Sequence, residues 1–107
     1  MNSMTIDENG VYRAAFTGEM AIVGWFLEQD VQSSVQTCQS YIKSLEAVEK
    51  SQVEEWKATG NAFTIIAGTN QALIQSEFSD ESLILPTCQL IKFLGDWLSH
   101  ISANHKK

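Results

Sequence analysis

Four short apolar-rich stretches, at residues 11–16, 20–26, 62–67 and 72–78, can each be divided into two alternating faces. Alternation with a period of two is typical of a β-strand. Thr17-Gly18 separates the first two stretches, and Gly-Thr-Asn-Gln at residues 68–71 separates the last two. The pattern therefore predicts two β-hairpins, and residues 83–85 are predicted to form one further short strand.

Two longer stretches carry apolar residues at three- and four-residue spacing, which predicts amphipathic helices. The apolar stripes are Val31, Val35, Cys38, Ile42, Leu45 and Val48 in the first helix, and Leu90, Ile91, Leu94, Trp97, Leu98 and Ile101 in the second. Asp30 is predicted to cap the first helix, because its carboxylate can accept from free amides of the first turn. Pro86 stands where a proline can open the second helix.

The predicted order of elements is β-β-α-β-β-α, with the short strand before the last helix. Hairpins imply an antiparallel sheet, and amphipathic helices bury their apolar stripes against such a sheet. We therefore predict an α+β fold, in which an antiparallel sheet of four to five strands is covered on one face by two amphipathic helices. Residues 11–103 form this single domain, between a flexible N-terminus at residues 1–10 and a polar tail at residues 104–107.

The stretch over residues 20–26 has apolar residues on both of its faces, which predicts a strand that is covered on both sides. Gly24 within it fits a bulge or a helix that lies close across the sheet. All three tryptophans are predicted to be core anchors. Cys38 and Cys88 are predicted to be buried reduced thiols that would pair only in an oxidising compartment.

The chain of 107 residues has a formal charge of −6, from thirteen acidic and seven basic side chains. This charge disfavours binding to nucleic acids and to anionic membranes, and it favours a basic protein partner. No apolar run approaches the roughly 20 residues of a membrane-spanning helix. The N-terminal residues lack the basic and apolar regions of a secretory signal, so we expect a cytoplasmic protein.

The sequence carries no catalytic signature. It has no nucleophile motif, no glycine-rich phosphate loop and no histidine or cysteine at metal-ligand spacing. His100 and His105 lie near the end of the last predicted helix, where a histidine usually meets backbone carbonyls. We therefore expect no enzymatic activity, no cofactor and no bound metal, and a small-ligand or metal-dependent enzyme is kept as an alternative.

Several short patches resemble known bacterial proteins. Gly18-Glu19, residues 23–26 (Val-Gly-Trp-Phe) and residues 55–65 (Glu-Trp-Lys-Ala-Thr-Gly-Asn-Ala-Phe-Thr-Ile) resemble the small uncharacterised YacL-like proteins. Residues 83–85 followed by residues 93–98 (Phe-Leu-Gly-Asp-Trp-Leu) are similar to the immunity proteins of contact-dependent growth inhibition (CdiI-like). The second resemblance implies a non-enzymatic cytoplasmic protein that neutralises a cognate toxin, often a nuclease with a basic cleft. Neither resemblance supplies a functional residue.

The leading hypothesis is an immunity protein that binds a basic toxin domain, because acidic side chains can occupy a cleft built for phosphate. The residues predicted to bind this partner are Glu77, Asp80 and Glu81 after the second hairpin, followed by Glu54 and Glu55. The alternative is a YacL-like housekeeping protein of unknown role, which would form a homodimer through its sheet.

Overall fold

The structure is a computed structural model that describes the backbone of residues 2–105 and the side chains of residues 2–103. Its elements, in chain order, are β1 (Ser3–Ile6), β2 (Tyr12–Ala15), α1 (Ala21–Phe26), α2 (Val35–Glu49), β3 (Trp56–Thr59), β4 (Phe63–Ala67), β5 (Gln71–Ser76), β6 (Ser82–Pro86) and α3 (Thr87–His105). The predicted α+β class is confirmed. The predicted tail differs, because α3 continues to His105, and residues 106–107 lie outside the described residues.

A two-strand antiparallel sheet is formed by β1 and β2, apart from the other strands. The turn between them is held by Asp7, whose Oδ1 accepts from the backbone N–H of Asn9 at 2.8 Å and of Val11 at 3.0 Å. Gly10 completes this turn with φ +80°, where a residue with a Cβ is strained. Within the segment predicted to be flexible, residues 3–6 form β1, whose backbone is paired with β2 and whose Met4 packs against the core.

Residues 18–31 are helical throughout, and the predicted strand over residues 20–26 is wrong. A 3₁₀ turn (Gly18–Met20) leads into α1, and a π-helical turn (Leu27–Val31) follows it. The buried residues Ile22, Val23, Phe26 and Leu27 are spaced as one face of a helix. A continuous apolar run fits such a face as well as it fits a strand covered on both sides, so the sequence pattern did not distinguish the two.

The first long helix starts later than predicted, at Val35. Its N-cap is Ser34, whose Oγ accepts from the backbone N–H of Thr37 at 3.0 Å. Asp30 therefore does not cap α2, since it lies in the preceding π-helical turn. Pro86 is the last residue of β6, so α3 begins directly after it, at Thr87.

The main sheet has four antiparallel strands in the order β3-β4-β5-β6. The predicted second hairpin is confirmed as β4 and β5, and the predicted short strand is confirmed within β6. The segment expected to be a connector contains the edge strand β3. Because only β1 and β2 precede the helices as strands and they form a separate sheet, the predicted single sheet of β-β-α-β-β-α order is replaced by two sheets.

Alternate residues of the main sheet differ in burial. One register row is Ala58, Ile65, Ile74 and Leu83, of which the last three are buried in the core. The neighbouring row points the other way and consists of Lys57, Ile66, Leu73 and Ile84, of which Lys57 and Ile84 are exposed. The helices α2 and α3 pack against each other, α2 contacts β3, and α3 contacts β5 and β6.

The three tryptophans have different environments. Trp97 is fully buried, as predicted, and its Nε1 donates to the backbone carbonyl of Gln32 at 2.7 Å. Trp56 is half-buried, with its ring edge-on to Tyr41 at a centroid distance of 5.6 Å. Trp25 is 43% exposed, so its predicted role as a core anchor is wrong.

The cysteines differ in the same way. Cys38 is fully buried and its Sγ donates to the Leu94 carbonyl at 3.3 Å, whereas Cys88 is exposed on the first turn of α3. Both are free thiols, so the prediction of burial is correct for Cys38 and wrong for Cys88. Burial raises the pKa of Cys38 to about 11.

Gly24→Ala should destabilise the protein by about 1–3 kcal/mol, the usual cost of overpacking. A Cβ at Gly24 would lie 2.5 Å from the carbonyl oxygen of Ala14 in β2, so backbone must move to admit it. The matched control is Gly95→Ala in α3, where a Cβ meets no atom within 4 Å. That change should stabilise by about 0.5–1 kcal/mol, because alanine is the better helix former. Urea unfolding of both variants measures the two effects, and the same sign for both would contradict the close packing of α1 on β2.

We expect a thiol reagent such as DTNB, at about pH 8, to label one cysteine of the native protein quickly and the other only after unfolding. The fast thiol is Cys88, because Cys38 has no access to solvent and a raised pKa. Absorbance at the release of thionitrobenzoate counts the thiols. Cys88→Ser should abolish the fast phase, and a fast phase that survives in this variant would show that Cys38 is reached without unfolding.

Candidate functional site

Trp25 is presented to solvent by the way α1 packs on β2. The preceding residue, Gly24, approaches β2 so closely that no side chain fits between them. Ile22, Val23 and Phe26 lie on another side of α1 and are buried in the core. Successive residues of an α-helix are about 100° apart, so Trp25 lies on the arc between Gly24 and Ile22. Its large indole ring stays 43% exposed there.

Phe78 lies in the loop between β5 and β6 and is 80% exposed, the highest value among the large apolar side chains of residues 2–103. The loop that carries it is ordered by local hydrogen bonds. The Oγ of Ser79 accepts from the backbone N–H of Glu81 at 3.2 Å, and the backbone N–H of Ser76 donates to the Glu81 carbonyl at 2.9 Å. A closed loop of this kind holds the Phe78 ring in solvent instead of letting it fold back.

Two open surface depressions of about 340 Å³ each adjoin these aromatic residues. Trp25 and Glu81 line both of them, so the two depressions form one continuous surface. Glu19 lines one depression and Phe78 lines the other. We call this surface, together with the loop that bears Phe78, the aromatic–acidic patch. It is defined by Glu19, Trp25, Phe78 and Glu81, which line the depressions, and by Glu77 and Asp80, which belong to the same loop but line neither depression.

The structure brings together three of the five acids that the sequence analysis selected. Glu77, Asp80 and Glu81 share the exposed loop around Phe78, and the Thr64 hydroxyl donates to the Glu77 carboxylate. Glu54 and Glu55 are also exposed but precede β3, whose first residue pairs with Ala67 at the other end of β4. The two groups thus lie at opposite ends of the sheet, roughly 17 Å apart along a six-residue strand. The five acids do not form one surface.

The sequence analysis missed the aromatic members of the patch. The predicted strand over residues 72–78 included Phe78, whereas β5 ends at Ser76 and Phe78 lies in the loop that follows. The available signal was its neighbourhood, since Phe78 is a single apolar residue within Glu-Phe-Ser-Asp-Glu. An isolated aromatic residue in such a polar run is typical of an exposed loop. For Trp25 the sequence held no such signal, because its neighbours are apolar.

Two half-buried carboxylates could suggest acid–base chemistry, but backbone donors occupy both. Asp30 Oδ1 accepts from the N–H of Ala62 at 2.8 Å, and its Oδ2 accepts from the N–H of Phe63 at 3.0 Å. Burial raises the pKa of Asp30, and these backbone hydrogen bonds oppose that rise. Glu28 Oε2 accepts from the N–H of Ala14 at 2.7 Å. Both side chains hold neighbouring strands in place.

Residues with metal-binding or histidine chemistry give no competing site. Within residues 2–103, no group of three or more histidine, cysteine, aspartate or glutamate side chains is arranged to hold a metal ion. The Nε2 of His100 lies 3.0 Å from the Thr5 carbonyl oxygen, and its ring stacks edge-on with Tyr12. Of the helices traced over residues 2–105, none has both the length and the apolar character needed to cross a membrane.

Comparison with known proteins identifies the family of this chain. A protein-family model described as an uncharacterised protein family (UPF0231) matches residues 3–84, which is more than half of the chain. No curated protein and no solved structure matches it. The match spans β1 through β6 up to Ile84, and so includes every residue of the aromatic–acidic patch.

Asp30→Asn should destabilise the protein by about 1–3 kcal/mol, the cost of leaving a buried donor without an acceptor. An asparagine side chain has one acceptor oxygen, whereas Ala62 and Phe63 present two N–H donors. Asp80→Asn is the matched control, since it removes the same charge from an exposed position and should change stability by less than about 0.5 kcal/mol. Urea unfolding measures both. Equal stability of the two variants would contradict a structural role for Asp30.

Proposed function

The chain belongs to the uncharacterised YacL-like family UPF0231, and we propose that it is a non-enzymatic binding protein whose aromatic–acidic patch takes a basic protein surface. The single observation that carries the proposal is the exposure of Phe78, 80%, beside the 43% exposed ring of Trp25. Contiguous exposed apolar side chains mark binding surfaces, and aromatic side chains are enriched in the cores of protein interfaces.

The charges around the two rings support a basic partner. The loop that bears Phe78 also bears Glu77, Asp80 and Glu81, and Glu19 borders the same surface. These side chains are exposed, so the interface would have aromatic anchors at its centre and carboxylates at its rim. A rim of one sign speeds the approach of an oppositely charged partner and rejects partners of like charge.

The same charges disfavour a nucleic acid as the direct ligand. The whole chain carries a formal charge of −6, and phosphate contacts require basic side chains. No lysine or arginine belongs to the aromatic–acidic patch. The patch is instead negatively charged and complements the positive surface of a nucleic-acid-binding protein. The immunity hypothesis requires this complementarity.

Neutralisation of a toxin is the more specific form of this proposal. In that form the partner is a basic toxin domain, and the patch covers the cleft that would otherwise bind RNA or DNA. The general form requires only a basic protein partner. The product of a toxin gene beside this gene, where one is present, is the natural first probe for the specific form.

We expect Phe78→Ser to abolish recovery of the partner in affinity purification with quantitative mass spectrometry, and Trp25→Ser to weaken it. The specific partners should be basic proteins, and binding should weaken as salt is raised. With an identified partner, calorimetry should show a dissociation constant raised about thirtyfold by Phe78→Ser, which corresponds to a hot-spot loss of about 2 kcal/mol.

Ile84→Ser is the matched control, because Ile84 is 61% exposed but belongs to the outward row of the sheet and not to the patch. This variant should bind like the wild type. Equal losses of binding in Ile84→Ser and Phe78→Ser would assign binding to non-specific hydrophobic contact or to another face of the protein. Undiminished binding by Phe78→Ser would refute the proposal, and a partner without a basic surface would refute its electrostatic part.

A further inference from the structure

The edge strand β3 has backbone groups that no neighbouring strand uses. β3 pairs with β4 alone, and the N–H of Gly60 donates to the Phe63 carbonyl at 2.9 Å. Hydrogen-bonded pairs alternate along an antiparallel ladder, so Ala58 and Trp56 direct their N–H and C=O groups toward β4. Lys57 and Thr59 therefore direct theirs away from the sheet, and both residues are exposed.

The space beside this edge is open. An open depression of about 380 Å³ lies on the side of β3 that contacts α2 and is lined by Gln36, Thr37, Ser40, Tyr41, Trp56 and Ala58. A strand added to β3 would lie about 4.8 Å from it and would place alternate side chains next to this depression. The edge thus has both the unpaired backbone and the room that strand addition requires.

We propose that β3 pairs with β3 of a second copy of this chain, antiparallel about a two-fold axis at Trp56. Outward backbone groups on both copies allow three symmetric registers, centred on residues 56, 57 and 58. The register centred on Lys57 sets the two lysines opposite each other, which is unfavourable. The register centred on Ala58 sets each Lys57 opposite a neutral Thr59.

The register centred on Trp56 alone sets opposite charges against each other. It places each Lys57 opposite Glu55 of the other copy, and this pair occurs twice because of the two-fold symmetry. It also sets the two Trp56 side chains opposite each other at a non-hydrogen-bonded position, where cross-strand side chains are closest. Glu55 lies one residue before β3, so the strand lengthens by one residue on pairing. Glu55, which lies outside the aromatic–acidic patch, would form an ion pair in this interface.

Sedimentation velocity between about 1 µM and about 500 µM, the range in which small interfaces dissociate, should show a reversible monomer–dimer equilibrium. Lys57→Glu and Glu55→Lys should each raise the dimer dissociation constant at least about tenfold, because each variant sets like charges opposite each other twice. The double variant Lys57→Glu/Glu55→Lys should restore the affinity of the wild type.

Sedimentation of an equimolar mixture of the two single variants is the decisive experiment, because it tests the charge pairing without any further substitution. A Lys57→Glu chain carries two acids at the edge and a Glu55→Lys chain carries two lysines, so the mixture should form a heterodimer that neither variant forms as a homodimer. Circular dichroism checks that each variant is folded.

A wild-type protein that stays monomeric at about 500 µM would overturn the proposal and would assign Lys57 the role of protecting the edge from pairing. A dimer that is insensitive to both charge reversals would overturn it as well, since pairing would then use another surface. Neither result would affect the proposed function, because the aromatic–acidic patch lies at the other end of the sheet and is tested with Phe78→Ser.

Discussion

The two oxygens of the Asp30 carboxylate connect the helical segment of residues 18–31 to the main sheet. They accept from consecutive backbone N–H groups at the start of β4, while the helical segment that carries Asp30 packs against β2 through Gly24. Hydrogen bonds to a charged acceptor contribute roughly 1.5–3 kcal/mol each, and burial of the carboxylate opposes part of that gain, as the raised pKa of Asp30 indicates. Gly60 is part of the same junction, because a Cβ there would lie 2.6 Å from Asp30 Oδ2.

This junction also determines where the exposed aromatic rings lie. Asp30 fixes the helical segment to the end of the sheet at which β3 turns into β4. The loop between β5 and β6 leaves the sheet at that end too, since Phe63 pairs with Ser76. Trp25, one and a half turns before Asp30, is consequently held near Phe78 although the two residues are far apart in sequence. The patch is a product of tertiary packing, built from a helix and a loop that share no local pattern.

The elements that could be predicted from the sequence are those with an unambiguous period. The stripe of α3 and the alternation of β4 and β5 each fit one kind of structure, and these elements lie at about the predicted residues. Residues 20–26 fit two kinds, because β-branched and aromatic residues favour strands in isolation while Ile22, Val23 and Phe26 also share a helical face. The structure is helical here, with Gly24 packed closely on β2, and no local sequence signal reports such a contact. For the site, charge located the acids of the loop, whereas the exposure of Trp25 depended on the same unpredicted helix.

The two edges of the main sheet are not equivalent. On β6, residues whose backbone groups point outward alternate with residues whose backbone groups bond to β5. The last of the outward-pointing residues is Pro86, which has no N–H to donate. The outward edge of β6 therefore lacks one donor, whereas the outward residues of β3, Lys57 and Thr59, each have an N–H and a C=O. In the proposed dimer the two-fold axis uses β3 of both copies, so each end of the joined sheet is a β6 edge with no donor at Pro86. Pairing through β3 is closed at two copies by this symmetry.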